Sequence, residues 1–271
     1  MRPVALTVFG GLLWLTGTAS AWAGAPAPPP QAWIRATTAD VIVVGKVTTI
    51  EDRKVRAERF LGDSGEYTVA VVKVEEALLG AKDLTHVKVG SLPPVPGRGR
   101  FFPSARLLKG QEVLLFLTPH AREPFLVPLD AFGVIDKRTP TFAGDLDSVR
   151  RAARALRHPV AALKAKDAGD RLLAASVLVF HYRRPRPGPQ KLELVPAEES
   201  KLILTVLAEA DWNPRAGIHP QYAFDQLGVT DRDGWAPPGD YRQVAATAKK
   251  WLRDHAETFR VKRVVAVKKD K

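Results

Sequence analysis

The 271-residue chain contains no cysteine. That absence excludes disulfides, a thiolate nucleophile, iron–sulfur ligation and cysteine-rich zinc sites, and with them a lipid anchor on a cysteine. After residue 23 no run approaches the roughly 20 apolar residues that a membrane-crossing helix needs. The six histidines, His86, His120, His158, His181, His219 and His255, stand far apart, and none forms a His-x-x-x-His or His-Glu-x-x-His pair. A Gly-x-Ser-x-Gly elbow, a phosphate-binding P-loop and a dinucleotide glycine fingerprint are also lacking. The adjacent carboxylates Glu75 and Glu76, or Glu198 and Glu199, point apart in regular structure and make poor acid–base pairs. No metal, cofactor or catalytic residue is therefore assigned.

Two strings resemble chemical motifs and are weighed against simpler readings. Gly62-Asp63-Ser64-Gly65 matches the nucleophile loop of chymotrypsin-like proteases, but no histidine precedes His86 and Glu66 follows where that family has glycine. A turn between strands is the simpler reading, because each of the four residues tolerates turn geometry. Asp231 and Asp233 before Gly234, with Asp240 further on, have the spacing of a calcium loop. Its first ligand position holds Val229, which offers no side-chain oxygen, so these carboxylates read as turn formers.

The chain does have positive charge, with 41 Lys and Arg against 29 Asp and Glu, and a 45% hydrophobic fraction sufficient for a folded core. Residues 1–23 have the layout of a secretory signal peptide: Arg2, an apolar run over 4–15, and small residues through Ala21-Trp22-Ala23. Cleavage before Gly24 is expected, with a retained N-terminal anchor as the alternative. An exported chain without disulfides fits the periplasm or another bacterial envelope space. Residues 24–31 follow as a proline-rich linker with nothing to pack into a core.

Strand signals occupy the next hundred residues. Runs at 41–47, 67–75, 84–89, 112–118, 125–127 and 132–135 are rich in valine, leucine and phenylalanine, and no useful helix separates most of them. The expectation is a small, mainly antiparallel barrel over 32–137. In the second run the apolar positions change parity, from Tyr67, Val69 and Val71 to Val72 and Val74. Either a β-bulge there bends the strand or the strand is buried on both faces. The loop 91–108, with four prolines and Arg98, Arg100 and Arg106, is long enough to suggest a functional role.

Helical periodicity begins at Asp145, and residues 138–144 form the expected domain boundary. Val149, Ala152, Ala153 and Leu156 make one apolar stripe, with Arg150, Arg151, Arg154 and Arg157 around it. A second helix over 170–182 is apolar nearly all round and should be the buried centre of an all-α domain spanning 145–271. Further helices are expected at 196–210, at 220–227, and after Asp240 as N-cap with Tyr241, Val244, Ala245, Ala248, Trp251 and Leu252 on one face. The tail 260–271 reads equally as strand or coil.

Ala39-Asp40-Val41-Ile42-Val43-Val44-Gly45-Lys46-Val47, the stretch ending Leu78-Leu79-Gly80, and Lys109-Gly110-Gln111-Glu112-Val113-Leu114-Leu115-Phe116-Leu117 carry a resemblance. Over 32–136 the chain resembles the OB-type barrel of tissue-inhibitor-of-metalloproteinase and netrin-like domains, as found in exported bacterial proteins. With Asp170-Arg171-Leu172-Leu173-Ala174-Ala175, Tyr182-Arg183 and Asp233-Gly234-Trp235, the helical half is similar to C-terminal regions of some exported bacterial proteins, a similarity that implies no activity. The resemblance implies the barrel fold. It does not carry over inhibition, because the inhibitors chelate the protease zinc through an N-terminal cysteine.

The combined expectation is an α+β protein: an OB-like barrel, then a helical domain, acting as a non-catalytic binding or interaction module of the cell envelope. Its partner would be an anionic polymer or an envelope protein, met through Arg98, Arg100, Arg106, Arg150, Arg154, Arg183 and Arg184; nucleic acid is not expected. A hydrolase with an unrecognised site is the alternative, with His181, Asp211 and Asp233 the first residues to inspect.

Overall fold

The computed structural model describes residues 31–60, 63–93, 106–185, 188–213 and 217–267. The leader, all but the last residue of the linker, and Arg98 and Arg100 lie outside the described residues.

The protein is α+β, with a mostly antiparallel sheet in its N-terminal half and helices in its C-terminal half. It opens with a short helix that sequence reading passed over, α1 (Ala32–Thr38). Seven strands follow: β1 (Val41–Ile50), β2 (Val55–Phe60), β3 (Asp63–Leu79), β4 (His86–Ser91), β5 (Glu112–Pro119), β6 (Leu126–Pro128) and β7 (Val134–Asp136). β1 pairs antiparallel with both β3 and β5, β3 with β4, and β5 with β6, while β4 and β6 meet in parallel at Val89 and Leu126. The pairings thus run β1–β3–β4–β6–β5 and return to β1. β2 extends β3 as a hairpin, and Asp63, Ser64 and Gly65 begin its second strand.

The runs in β1 and β5 are continuously apolar because both faces of these strands are covered. Val41, Val43, Val47, Val113, Leu115 and Leu117 join Ala70, Val72, Val87 and Val89 in one cluster. Ile42, Leu114 and Phe116 face the other way, into the cluster formed by the helices.

The parity change in β3 has the same origin. Tyr67 and Val69 pack with Ala57 and Phe125 on one face, whereas Ala70 and Val72 join the β1–β5 cluster on the other. Pairing with β4 is regular through this stretch. A register irregularity does lie opposite Val71 and Val72, but it skips Thr48 and so falls on β1. Gly90 of β4 makes room for the Phe125 ring, since a Cβ there would come 2.3 Å from Phe125 Cε2.

After Phe142 come α2 (Phe142–Arg157), α3 (Pro159–Leu163), α4 (Ala168–Arg183), α5 (Ala197–Glu209), α6 (Pro220–Gln226) and α7 (Val244–His255). Val149, Ala152 and Ala153 of α2 are buried as the spacing predicts, and α4 is the buried centre, enclosed from Leu173 to Val179. Asp240 caps a 3-10 turn, Tyr241–Gln243, that leads into α7, so one extra turn precedes the expected helix.

The expectation of an all-α second half is corrected. β8 (Gln190–Leu194) and β9 (Lys262–Ala266) form a two-stranded antiparallel ribbon within it. Its period-two alternation, Lys191 and Glu193 against Leu192 and Leu194, is present in the sequence but brief, and it follows a proline-rich stretch.

The change from strands to helices near residue 138 is not a break in the core. One cluster joins Ile42, Leu78, Leu114, Phe116 and Ile135 to the interior of the helices. α1 packs on α2 and α4, with Trp33 edge-on to Phe180 at 5.6 Å.

Candidate functional site

Polar contacts fasten the two halves across this shared core. Arg35 of α1 is buried; its guanidinium donates to the Phe132 carbonyl and lies 4.8 Å from the centre of the Phe116 ring. Burial pulls its pKa down, while Asp130 and Asp145 oppose that shift. Arg150 grips Glu76 of β3 through two hydrogen bonds, Nε to Oε1 at 2.9 Å and Nη2 to Oε2 at 2.5 Å. Arg184 donates to Asp40 at 3.2 and 3.3 Å and to the Ala39 carbonyl at 3.4 Å. His181 Nδ1 lies 3.0 Å from the Thr37 carbonyl. Arg150 and Arg184, taken from the sequence as binding residues, are therefore engaged in holding helices to strands.

Of the remaining candidates, those among the described residues lie on separate elements. Arg154 lies on the exposed side of α2, and Arg183 rests its guanidinium against the backbone of Gly228. Arg106 stands elsewhere, on the strand side, lining a cleft of about 340 Å³ with Ile50, Thr68, Ser91, Leu107 and Lys109.

This cleft is built on a rigid turn. Leu107 is buried in the β1–β5 cluster and anchors the chain. Leu108 then starts a turn closed by Gln111 N–H to the Leu108 carbonyl and by Leu108 N–H to Gln111 Oε1, both at 3.0 Å. Gly110 takes φ 84°, where a side chain would be strained although nothing lies within 4 Å to obstruct it. Gly110 N–H to the Val47 carbonyl, and Val47 N–H to the Gln111 carbonyl, tie the turn to β1. Arg106 and Lys109 are thus held, exposed, on either side of a buried anchor. Neither has an ion pair among the described residues. Lys109 was missed as a site residue, although the Lys109-Gly110 dipeptide is itself a turn signal.

A larger cleft of about 570 Å³ adjoins it through Leu108 and Lys109, and is lined further by Gln111, Glu112, Asp136, Lys137 and Arg138. Its charges largely neutralise one another. Lys137 pairs with Glu112, lowering the carboxyl's pKa and raising its own. Asp136 accepts from Arg138 Nε at 2.9 Å, Nη2 at 2.7 Å and backbone N–H at 2.8 Å, and from Gln111 Nε2 at 2.6 Å. These bonds, those from Arg138 foremost, hold its pKa far below the usual carboxylate range. Among the described residues the smaller cleft has no carboxylate in its lining, which makes it the better site for an anion.

The residues set aside for hydrolysis are separately engaged. Asp211 accepts from the Asn213 N–H, and Asp233 takes the Thr230 N–H and hydroxyl in a capping box, as a turn former does. Neither bonds to the other or to His181. Among the described residues, no three His, Asp or Glu side chains are grouped to hold a metal. The Tyr182 hydroxyl donates to the buried Glu199 carboxylate. Burial, then Glu199, drives the Tyr182 pKa upward. No helix among the described residues is long and apolar enough to cross a membrane.

Searches against protein-family models and curated proteins give no match to this chain.

Proposed function

We propose that this chain is an exported, non-catalytic binding protein of the cell envelope, built as a closed OB-type barrel with a helical unit attached, and that its barrel takes an anionic polymer at the Arg106–Lys109 cleft. The ring of strand pairings, with its one parallel contact between β4 and β6, supports the barrel. The leader-like first 23 residues and the absence of cysteine support export. On the β3 face, Tyr67, Val69 and Phe125 pack against Ala57 of the chain's own hairpin. The open ground is therefore the neighbouring cleft.

The observation that carries the binding reading is the contrast in charge compensation. Arg35, Arg150 and Arg184 have acceptors, whereas Arg106 and Lys109 line a cleft with the Thr68 and Ser91 residues beside them and no carboxylate. Exposed, unpaired cations around a concavity attract polyanions, and salt weakens that attraction.

The test is retention of the protein on immobilised heparin over a salt gradient. Wild type should bind at low ionic strength and elute as salt rises; an Arg106→Ala, Lys109→Ala double variant should elute much earlier, and Arg154→Ala close to wild type. Coelution of the double variant with wild type would remove the cleft from the reading.

A further inference from the structure

We propose that the β8–β9 ribbon is a self-pairing edge, through which two copies of the chain join β8 to β8 antiparallel about a two-fold axis. This surface is distinct from the Arg106 cleft and does not depend on its reading.

Among the described residues the ribbon has two strands, and β8 pairs with β9. Lys191, Leu192 and Leu194 are exposed; the two leucines, at 56% and 57%, are among the most exposed large apolar side chains in the chain. An exposed strand edge carrying apolar side chains is a template for another strand unless something blunts it.

The hydrogen-bond phase of the ribbon fixes which groups point outward. Val195 N–H bonds to the Val261 carbonyl, and Val267 N–H to the Pro189 carbonyl. In an antiparallel pair the direction alternates along each strand, so Glu193 and Lys191 turn their backbone groups toward β9. Leu192 and Leu194 consequently direct their N–H and carbonyl groups to the outer edge.

Side-chain order then selects a second copy as the occupant. A two-fold axis through Leu192 makes Leu192 of each copy a hydrogen-bonded pair with its equivalent. The same axis sets Lys191 of each copy opposite Glu193 of the other, a non-hydrogen-bonded position where side chains approach most closely. The two charges already attract within one strand, with Lys191 Nζ 3.1 Å from Glu193 Oε1. The central triplet Lys191-Leu192-Glu193 of the strand is therefore complementary to itself when reversed: apolar centre to apolar centre, cation to anion on both sides. The leucines of both copies would lie on one face, beside Val264 of β9, across from Leu192 in the register. The contact is small, so the dimer should be weak and concentration-dependent.

Sedimentation equilibrium of the full chain, from low micromolar to millimolar concentration, tests this. The expected result is a reversible monomer–dimer equilibrium. Lys191→Glu places like charges opposite each other and should abolish the dimer, and Leu192→Asp should do the same by charging the centre. The Lys191→Glu, Glu193→Lys double exchange restores opposite charges and should recover the dimer. Far-ultraviolet circular dichroism and the midpoint of urea unfolding identify any variant that fails to fold. A wild-type chain that stays monomeric throughout would overturn the proposal, as would a dimer that folded Lys191→Glu and Leu192→Asp variants leave intact.

Discussion

At the junction of sheet and helices Arg35 meets the Phe132 carbonyl, Arg150 meets Glu76 and Arg184 meets Asp40, while at the Leu108 turn Arg106 and Lys109 have no ion pair among the described residues. Each of these five side chains adds one unit to the net charge of +12. The junction cations tie together segments distant in the chain, and those of Arg150 and Arg184 stand directly against the carboxylates of Glu76 and Asp40. The cations of the turn are held by backbone geometry, so removing their side chains costs the fold little and leaves the local field weaker. Charge bears on binding only after the acceptors have been subtracted.

The largest test of that contrast is Arg35→Ala. It removes the donor to Phe132 and the cover over Phe116 within a buried site, and should lower unfolding stability by roughly 2–4 kcal/mol, read from urea melts. A loss below about 1 kcal/mol would show that the junction is held by apolar packing alone.

Asp136→Asn comes next, and its effect depends on pH. Because its bonds depress the folded pKa of Asp136, their contribution is fully present above the unfolded carboxylate value, near 3.9, and fades as pH falls further toward the folded pKa. Wild type should therefore lose stability steeply below about pH 4, and the Asn variant less steeply. Parallel acid profiles would show that the carboxylate contributes nothing through its ionisation.

Arg150→Ala should cost at most about 1 kcal/mol, since both partners in the Glu76 pair are substantially exposed. Smallest of all, the Arg106→Ala, Lys109→Ala variant should unfold within about 0.5 kcal/mol of wild type while losing heparin retention. If it unfolded much more readily, the two groups of cations would no longer be distinct.

How much of this was legible in the sequence varied with the range of the interaction. Helices α2 and α4 announced themselves because their burial follows local spacing, and β1 and β5 because covering on both faces leaves unbroken apolar runs. β2 gives no clear strand signal because Val55–Phe60 interleaves Arg56, Glu58 and Arg59 with its apolar residues. The parity change in β3 was visible, but its cause, two different clusters on opposite faces, required the tertiary neighbours Ala57 and Phe125. Arg106 was picked out as part of a loop. Its separation from Arg150 and Arg184 follows from Glu76 and Asp40, whose partners no sequence pattern reveals.

The placement of α1 sets an order on events during synthesis. Ala32–Thr38 precedes the strands among the described residues, yet its Thr37 carbonyl meets His181, 144 positions further along the chain. A nascent chain that has completed its strands still lacks α2 and α4, the helices on which α1 packs. Arg35 finds Phe116 and Phe132 within the strand half, but Trp33 must wait for Phe180 of α4, so the first of the described helices is among the last to dock fully. Over that interval, slow translation would leave the waiting segment open to chaperones and proteases.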